Sequence, residues 1–150
     1  MFSKTTEYAL RAVLFIAKES SVGNRPGLQK VAEAIDSPVS FTAKILQILT
    51  RDNSLIQSVR GPNGGFFMEE KMRKQPLSAV LKVMGELDVL NKCVLGLYEC
   101  SERNPCPLHN DYKEIKNQLR NLFNLRSISE VAETTHGNDA VLRIMYRRKK

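Results

Sequence analysis

The chain has 150 residues, 42% hydrophobic and 26% charged, which suits one compact domain or a small domain with an added element, not a disordered chain. Lys and Arg outnumber Asp and Glu by 23 to 16, a formal net charge of +7 that suits a partner with a phosphate backbone. No apolar run approaches the ~18 residues of a membrane span, and the N-terminus lacks a charged start followed by an apolar core, so the expectation is a cytoplasmic protein with no membrane partner.

The charge is uneven. Residues 1–75 hold eleven Lys and Arg against seven Asp and Glu. Residues 76–150 hold twelve against nine, but five of those twelve are Arg143, Arg147, Arg148, Lys149 and Lys150. The first half is therefore basic on its own account, and the second is slightly acidic up to a basic tail. A generically solvated surface explains such an excess equally well, so charge alone does not identify the partner.

The first predicted helix runs over residues 5–19, where Ala9, Leu10, Val13, Ile16 and Ala17 form one apolar face. A Gly- and Pro-containing loop follows over residues 21–27. Leu28, Val31, Ala32 and Ile35 mark a short second helix, which Asp36-Ser37-Pro38 ends. A third helix spans residues 39–52 and buries Ile45, Leu46 and Leu49. Residues 55–59 and 66–69 read as strands, and between them Gly61-Pro62-Asn63-Gly64 has turn chemistry, with Pro second and Gly fourth. Three short helices and a hairpin are the order of a winged helix-turn-helix, with the third helix reading DNA.

Beyond the hairpin, Leu77, Val80, Leu81 and Met84 predict a fourth helix. Residues 88–107 look like a loop. A long helix follows over residues 107–124, and Leu108, Tyr112, Ile115, Leu119 and Leu122 make a heptad seam. That seam either packs on its own domain or pairs with a second copy, and two-fold pairing suits two DNA half-sites about 34 Å apart. Ser127-Ile128-Ser129-Glu130 has capping-box spacing and predicts a last short helix.

On the third helix, Ser40, Thr42 and Gln47 offer hydrogen bonds to bases or phosphates, and Lys44 and Arg51 offer charge. Phe41 sits among them. The wing presents Arg60, Gly61, Pro62, Asn63 and Gly64, with the Arg placed to enter a narrow minor groove. The plain alternative is that these are exposed polar residues and a structural turn. The glycines have neither the Lys-Ser/Thr pair of a P-loop nor the strand-to-helix order of a dinucleotide fingerprint.

All three cysteines fall within one stretch, Cys93, Cys100 and Cys106, and His109 follows three residues later. An odd, clustered set argues against a disulfide framework. Three thiolates and an imidazole suit an iron–sulfur cluster. Zinc takes the same donors but more often from close Cys-x-x-Cys pairs, absent here, and buried packing of three small side chains is the plain alternative. No Gly-x-Ser-x-Gly, His-Glu-x-x-His or Cys-x-x-Cys motif occurs, and His109 and His136 are the only histidines, so no enzyme is expected.

The runs Thr6-Glu7-Tyr8-Ala9-Leu10-Arg11, Ala43-Lys44-Ile45-Leu46-Gln47 and Ser58-Val59-Arg60-Gly61-Pro62-Asn63-Gly64-Gly65-Phe66 resemble the BadM/Rrf-type bacterial transcriptional regulators over residues 1–135. The Arg-Gly-Pro-x-Gly-Gly wing is the most specific of these motifs. The cysteine loop is similar to the branch containing an iron–sulfur-cluster regulator and a nitric-oxide sensor, although six residues separate Cys93 from Cys100 where that pattern has five. The resemblance implies a homodimer joined largely by the long helix, with Arg60 and residues 40–44 on double-stranded DNA. It implies a fourth cluster ligand at His109, with Glu7, reaching across a dimer, as the alternative.

The expected fold is mainly α: a winged helix-turn-helix domain over residues 1–75 with a β-hairpin wing, a helical dimerisation and cysteine-loop sensing region over 76–135 with a long C-terminal dimerisation helix, and a basic tail over 136–150. The expected function is sequence-specific regulation of transcription, as a repressor, under control of an iron–sulfur cluster that senses iron–sulfur status, redox or nitric oxide. A 2Fe–2S cluster is preferred to 4Fe–4S. The alternative is a metal-free regulator of the same fold that responds to a small molecule, a partner protein or thiol oxidation.

Overall fold

Ser3 starts the first helix, α1 (Lys4–Ser21), by accepting the Thr6 backbone N–H on its hydroxyl at 3.2 Å. Ala9, Ala12, Val13, Ile16 and Ala17 then recur at helical spacing and are all buried. In the computed structural model, which describes residues 1–134, α1 is the spine against which several of the later elements pack. The expected basic tail and His136 lie outside the described residues.

The helix-turn-helix pair is α2 (Leu28–Ala34) and α3 (Val39–Thr50). Asp36 makes the tight turn between them in the left-handed region, at φ 52°, where a short polar side chain is tolerated. Val31, Ile35, Ile45, Leu46 and Leu49 close the core over α1.

The wing is an antiparallel pair, β1 (Gln57–Val59) and β2 (Gly65–Phe67), with Ser58 opposite Phe66. The expected first strand starts two residues late, because Leu55 and Ile56 point into the core and leave the ladder to Gln57. Gly64 donates its N–H to the Gly61 carbonyl at 2.9 Å, which closes the expected turn. A side chain at Gly64 would stand 2.1 Å from the Val59 carbonyl oxygen, and one at Gly65 2.2 Å from that of Arg25. Both glycines therefore permit close backbone approach. Phe66 N–H donates to the Pro26 carbonyl and Met68 N–H to the Ser20 hydroxyl, each at 2.9 Å, so the wing is fastened to the end of α1 and the loop after it.

A short helix not expected from the sequence, α4 (Glu70–Arg73), anchors through buried Met72 and leads to α5 (Ser78–Val83). Four residues are too few for a periodicity to register. A 3-10 turn, Leu87–Leu90, occupies the start of the expected loop and buries Leu90. The long helix is α6 (His109–Leu125), followed by α7 (Ile128–Glu133), whose Ser127–Glu130 capping box is formed in both directions. Leu77 N–H donates to the Arg126 carbonyl and Ile128 N–H to that of Gln75, which joins the chain before α5 to the α6–α7 corner. α7 returns along α1, and its Ile128 and Ala132 share one buried cluster with α1, α3 and α5.

α6 stands apart from this core. Phe123 is its one buried residue, with its ring edge-on to Phe2 at 5.3 Å. Tyr112 and Leu119 are half-buried, whereas Leu108, Ile115, Leu122 and Leu125 are exposed. The fold is mainly helical with a two-stranded hairpin, a winged helix-turn-helix as expected.

Candidate metal centre and nucleic-acid interface

Ser40, Lys44, Gln47 and Arg51 are all exposed, and their spacing of four, three and four places them along one face of α3 and its end. The N-cap, Pro38, makes no side-chain hydrogen bond to the first turn, so that helix end presents open backbone donors. Phe41 is half-buried, its ring edge-on to Tyr8 at 5.4 Å. Arg11 lies 4.1 Å above that Tyr8 ring and donates to the Ile35 carbonyl at 3.0 Å, which ties α1 to the end of α2 beside the Tyr8–Phe41 contact with α3.

Thr42 departs from the sequence expectation of a DNA contact. It is fully buried, and its hydroxyl donates to the Pro38 carbonyl at 2.9 Å. It therefore shapes the first turn of α3 from inside and presents nothing to a groove. On the wing, Arg60, Gly61, Pro62 and Asn63 are exposed and Gly64 is half-buried. Arg25 adds a cation that the sequence did not single out: it stacks 4.7 Å over the Phe67 ring at the base of the wing. Only the folded chain brings a residue of the α1–α2 loop beside a strand forty residues on.

The second site is the loop between the 3-10 turn and α6. Its base is tied to α6, because Arg120 donates to the Asn91 side-chain carbonyl and Lys116 reaches the Asn91 backbone carbonyl at 3.5 Å. Within it the sulfurs of Cys93, Cys100 and Cys106 all lie within 4.8 Å of one another. The donors fall into two close pairs. Cys93 Sγ is 3.5 Å from Cys106 Sγ, and Cys100 Sγ is 3.2 Å from His109 Nδ1. All three thiols are free and half-buried. The backbone N–H groups of Leu97 and then Leu95 bring the Cys93 thiol down to about 7, whereas burial pushes the Cys106 thiol up.

His109 is the first residue of α6 and its side chain is 10% exposed. Its Nε2 is buried without a hydrogen-bond partner, 3.5 Å from Glu102 Oε1. The same oxygen takes Lys113 Nζ at 2.5 Å, and this ammonium holds the Glu102 carboxyl below its usual range. Neither Glu102 nor Lys113 carried a signal in the sequence, since both are common surface residue types. Glu7 lies on α1 and pairs with Lys4 at 3.6 Å. It is not part of the three-sulfur group.

The chain is similar to known proteins in both sequence and fold. A protein of Aquifex aeolicus (strain VF5) named as an HTH-type transcriptional regulator is 31% identical over 136 residues, covering 87% of this chain and 90% of the relative. The HTH-type transcriptional regulator IscR of Yersinia pestis is 27% identical over 124 residues, covering 83% of this chain and 74% of the relative. Among solved structures, the global cysteine regulator CymR of B. subtilis superposes with a TM-score of 0.69 at 14% identity, covering 89% of this chain and 97% of that one. T. potens IscR superposes with a TM-score of 0.64 at 15% identity, covering 91% and 88%. Residues 2–134 match the family model Rrf2, described as iron-dependent transcriptional regulator. The chain belongs to the Rrf2 family of DNA-binding transcriptional regulators.

Proposed function

We propose that this regulator is a homodimeric repressor whose operator binding is controlled by an iron–sulfur cluster held by Cys93, Cys100, Cys106 and His109. The observation that carries the proposal is the convergence of three free thiols on the loop and the imidazole that starts α6 in two close pairs. The donor set fits the group. Two thiolates on one metal, with bonds of about 2.3 Å in tetrahedral geometry, stand about 3.8 Å apart. The Cys93–Cys106 separation of 3.5 Å is close to that. A two-iron cluster takes two protein ligands at each iron, which favours 2Fe–2S for two pairs of donors. Bound there, the cluster would supply sensitivity to iron–sulfur status, oxidants or nitric oxide.

The protein's own residues provide the coupling. Cys93 follows the core-anchored Leu90 by three residues, and His109 begins α6. Drawing these together fixes α6 relative to the core. The exposed Leu108, Ile115, Leu122 and Leu125 give α6 an apolar stripe that a second copy would cover. A change at the loop would then alter the spacing of two α3 helices, which must match half-sites about 34 Å apart. The effect on DNA requires the cluster contacts to differ between the competent and incompetent states.

A second reading is favoured by one distance. Cys93 and Cys106 are close enough for small movements to join them, with a peroxide taking two electrons and two protons as the disulfide forms. Anaerobically purified protein separates the two. The cluster reading expects stoichiometric iron and sulfide, visible absorbance, and operator binding that changes when the cluster is removed. Colourless, iron-free protein that binds the operator tightly and responds only to peroxide would overturn it in favour of the thiol switch. Changing all three cysteines to Ser is expected to abolish regulation in cells.

A further inference from the structure

We propose that Glu102 is a positioning residue for His109, fixing the imidazole so that Nδ1, not Nε2, is the nitrogen offered to the cluster. The inference rests on the cluster reading and adds which atom of His109 binds and what holds it. Nδ1 faces Cys100 Sγ at 3.2 Å, so the ring is already turned with that nitrogen toward the sulfurs. Nε2 points the other way and is buried with no hydrogen-bond partner. The nearest carboxylate oxygen, Glu102 Oε1, is 3.5 Å from it, so a shift of a few tenths of an ångström brings it within donating distance.

The carboxylate is held where it is needed. Lys113 stands four residues after His109, on the same face of α6, and grips Oε1 at 2.5 Å. Glu102 itself lies on the loop between Cys100 and Cys106. The Glu102–Lys113 pair therefore clasps the ligand loop to the helix that carries the fourth ligand. In the tautomer with the proton on Nε2, that N–H donates to Glu102 and Nδ1 keeps its lone pair for a metal. Carboxylates in this role commonly orient metal-binding imidazoles, and losing one costs about 10- to 100-fold in metal affinity.

The test uses the full chain purified anaerobically as wild type, Glu102→Ala, His109→Ala and the double variant. Glu102 is largely exposed, so its replacement leaves the fold intact, and circular dichroism checks this. Iron and sulfide content, the half-life of visible absorbance under an iron chelator, and the histidine nitrogen coupling of the reduced cluster are read for each. Glu102→Ala is expected to shorten the half-life about tenfold or more and to change the nitrogen coupling. In the His109→Ala background the same change is expected to add nothing. A loaded wild type with an unaltered Glu102→Ala variant overturns the proposal alone, as does an equal effect in both backgrounds. A wild type that takes up no iron overturns the cluster reading, and this proposal with it.

Discussion

At the scale of single residues, α3 shows how one turn of helix separates an exposed face from a buried one. Lys44 and Thr42 are two positions apart, yet one is exposed and the other fully buried. Thr42→Val removes the hydrogen bond to Pro38 without opening a cavity. It is expected to cost about 1 kcal/mol in chemical denaturation and to leave the operator affinity of the folded protein unchanged. Lys44→Ala is expected to weaken operator binding for all sequences alike and to reduce the salt slope by about one unit. Arg60→Ala is expected to weaken binding and to flatten discrimination at an A·T-rich flank, because a guanidinium in a narrow minor groove reads its potential. Titrations of labelled operator at several salt concentrations distinguish these outcomes. If neither basic substitution changes binding, the winged-helix docking surface is misassigned.

At the scale of elements, the wing and α6 were legible to different depths. Glycine and proline punctuation located the turn of the wing, and the Gly61–Gly64 hydrogen bond forms there. Its fastening to Pro26 and Ser20 was not legible, because a backbone contact leaves no pattern in side-chain chemistry. Gly64→Ala is expected to displace the wing, since its Cβ would meet the Val59 carbonyl. A loss of operator affinity of about tenfold or more, with the helical core retained, checks this by binding and circular dichroism. The heptad spacing of α6 was legible too, but not which side of the seam faces the core. Phe123, outside the seam, is the residue that packs inward. Ile115, within the seam, is 56% exposed, so Ile115→Asp costs little in an isolated chain. It is expected to convert a dimer to a monomer in light scattering. A dimer that survives would rule out α6 as the pairing surface.

At the scale of the whole molecule, one buried cluster joins the helix-turn-helix to α5 and α7, while α6 and the cysteine loop project from it. Under the proposed cluster reading, this division would let the loop change without unfolding the helix-turn-helix. If the loop holds the proposed cluster, its loss is expected to change operator affinity more than thermal stability, as paired binding and melting curves of loaded and metal-free protein would show.

The sequence by itself determined the order of the three helices and hairpin of the winged helix-turn-helix, the long helix and the capped last helix, the basic positions of α3 and the wing, and the clustering of the cysteines. Each follows from periodicity, turn chemistry or residue type, which are local properties of the chain. Only the tertiary structure decided that Thr42 is internal, that Arg25 stands at the wing, that the four donors pair as Cys93 with Cys106 and Cys100 with His109, and that Glu102 and Lys113 stand behind the imidazole. Those facts depend on the path of a loop with no periodicity and on contacts between distant segments, and neither is encoded in spacing along the chain.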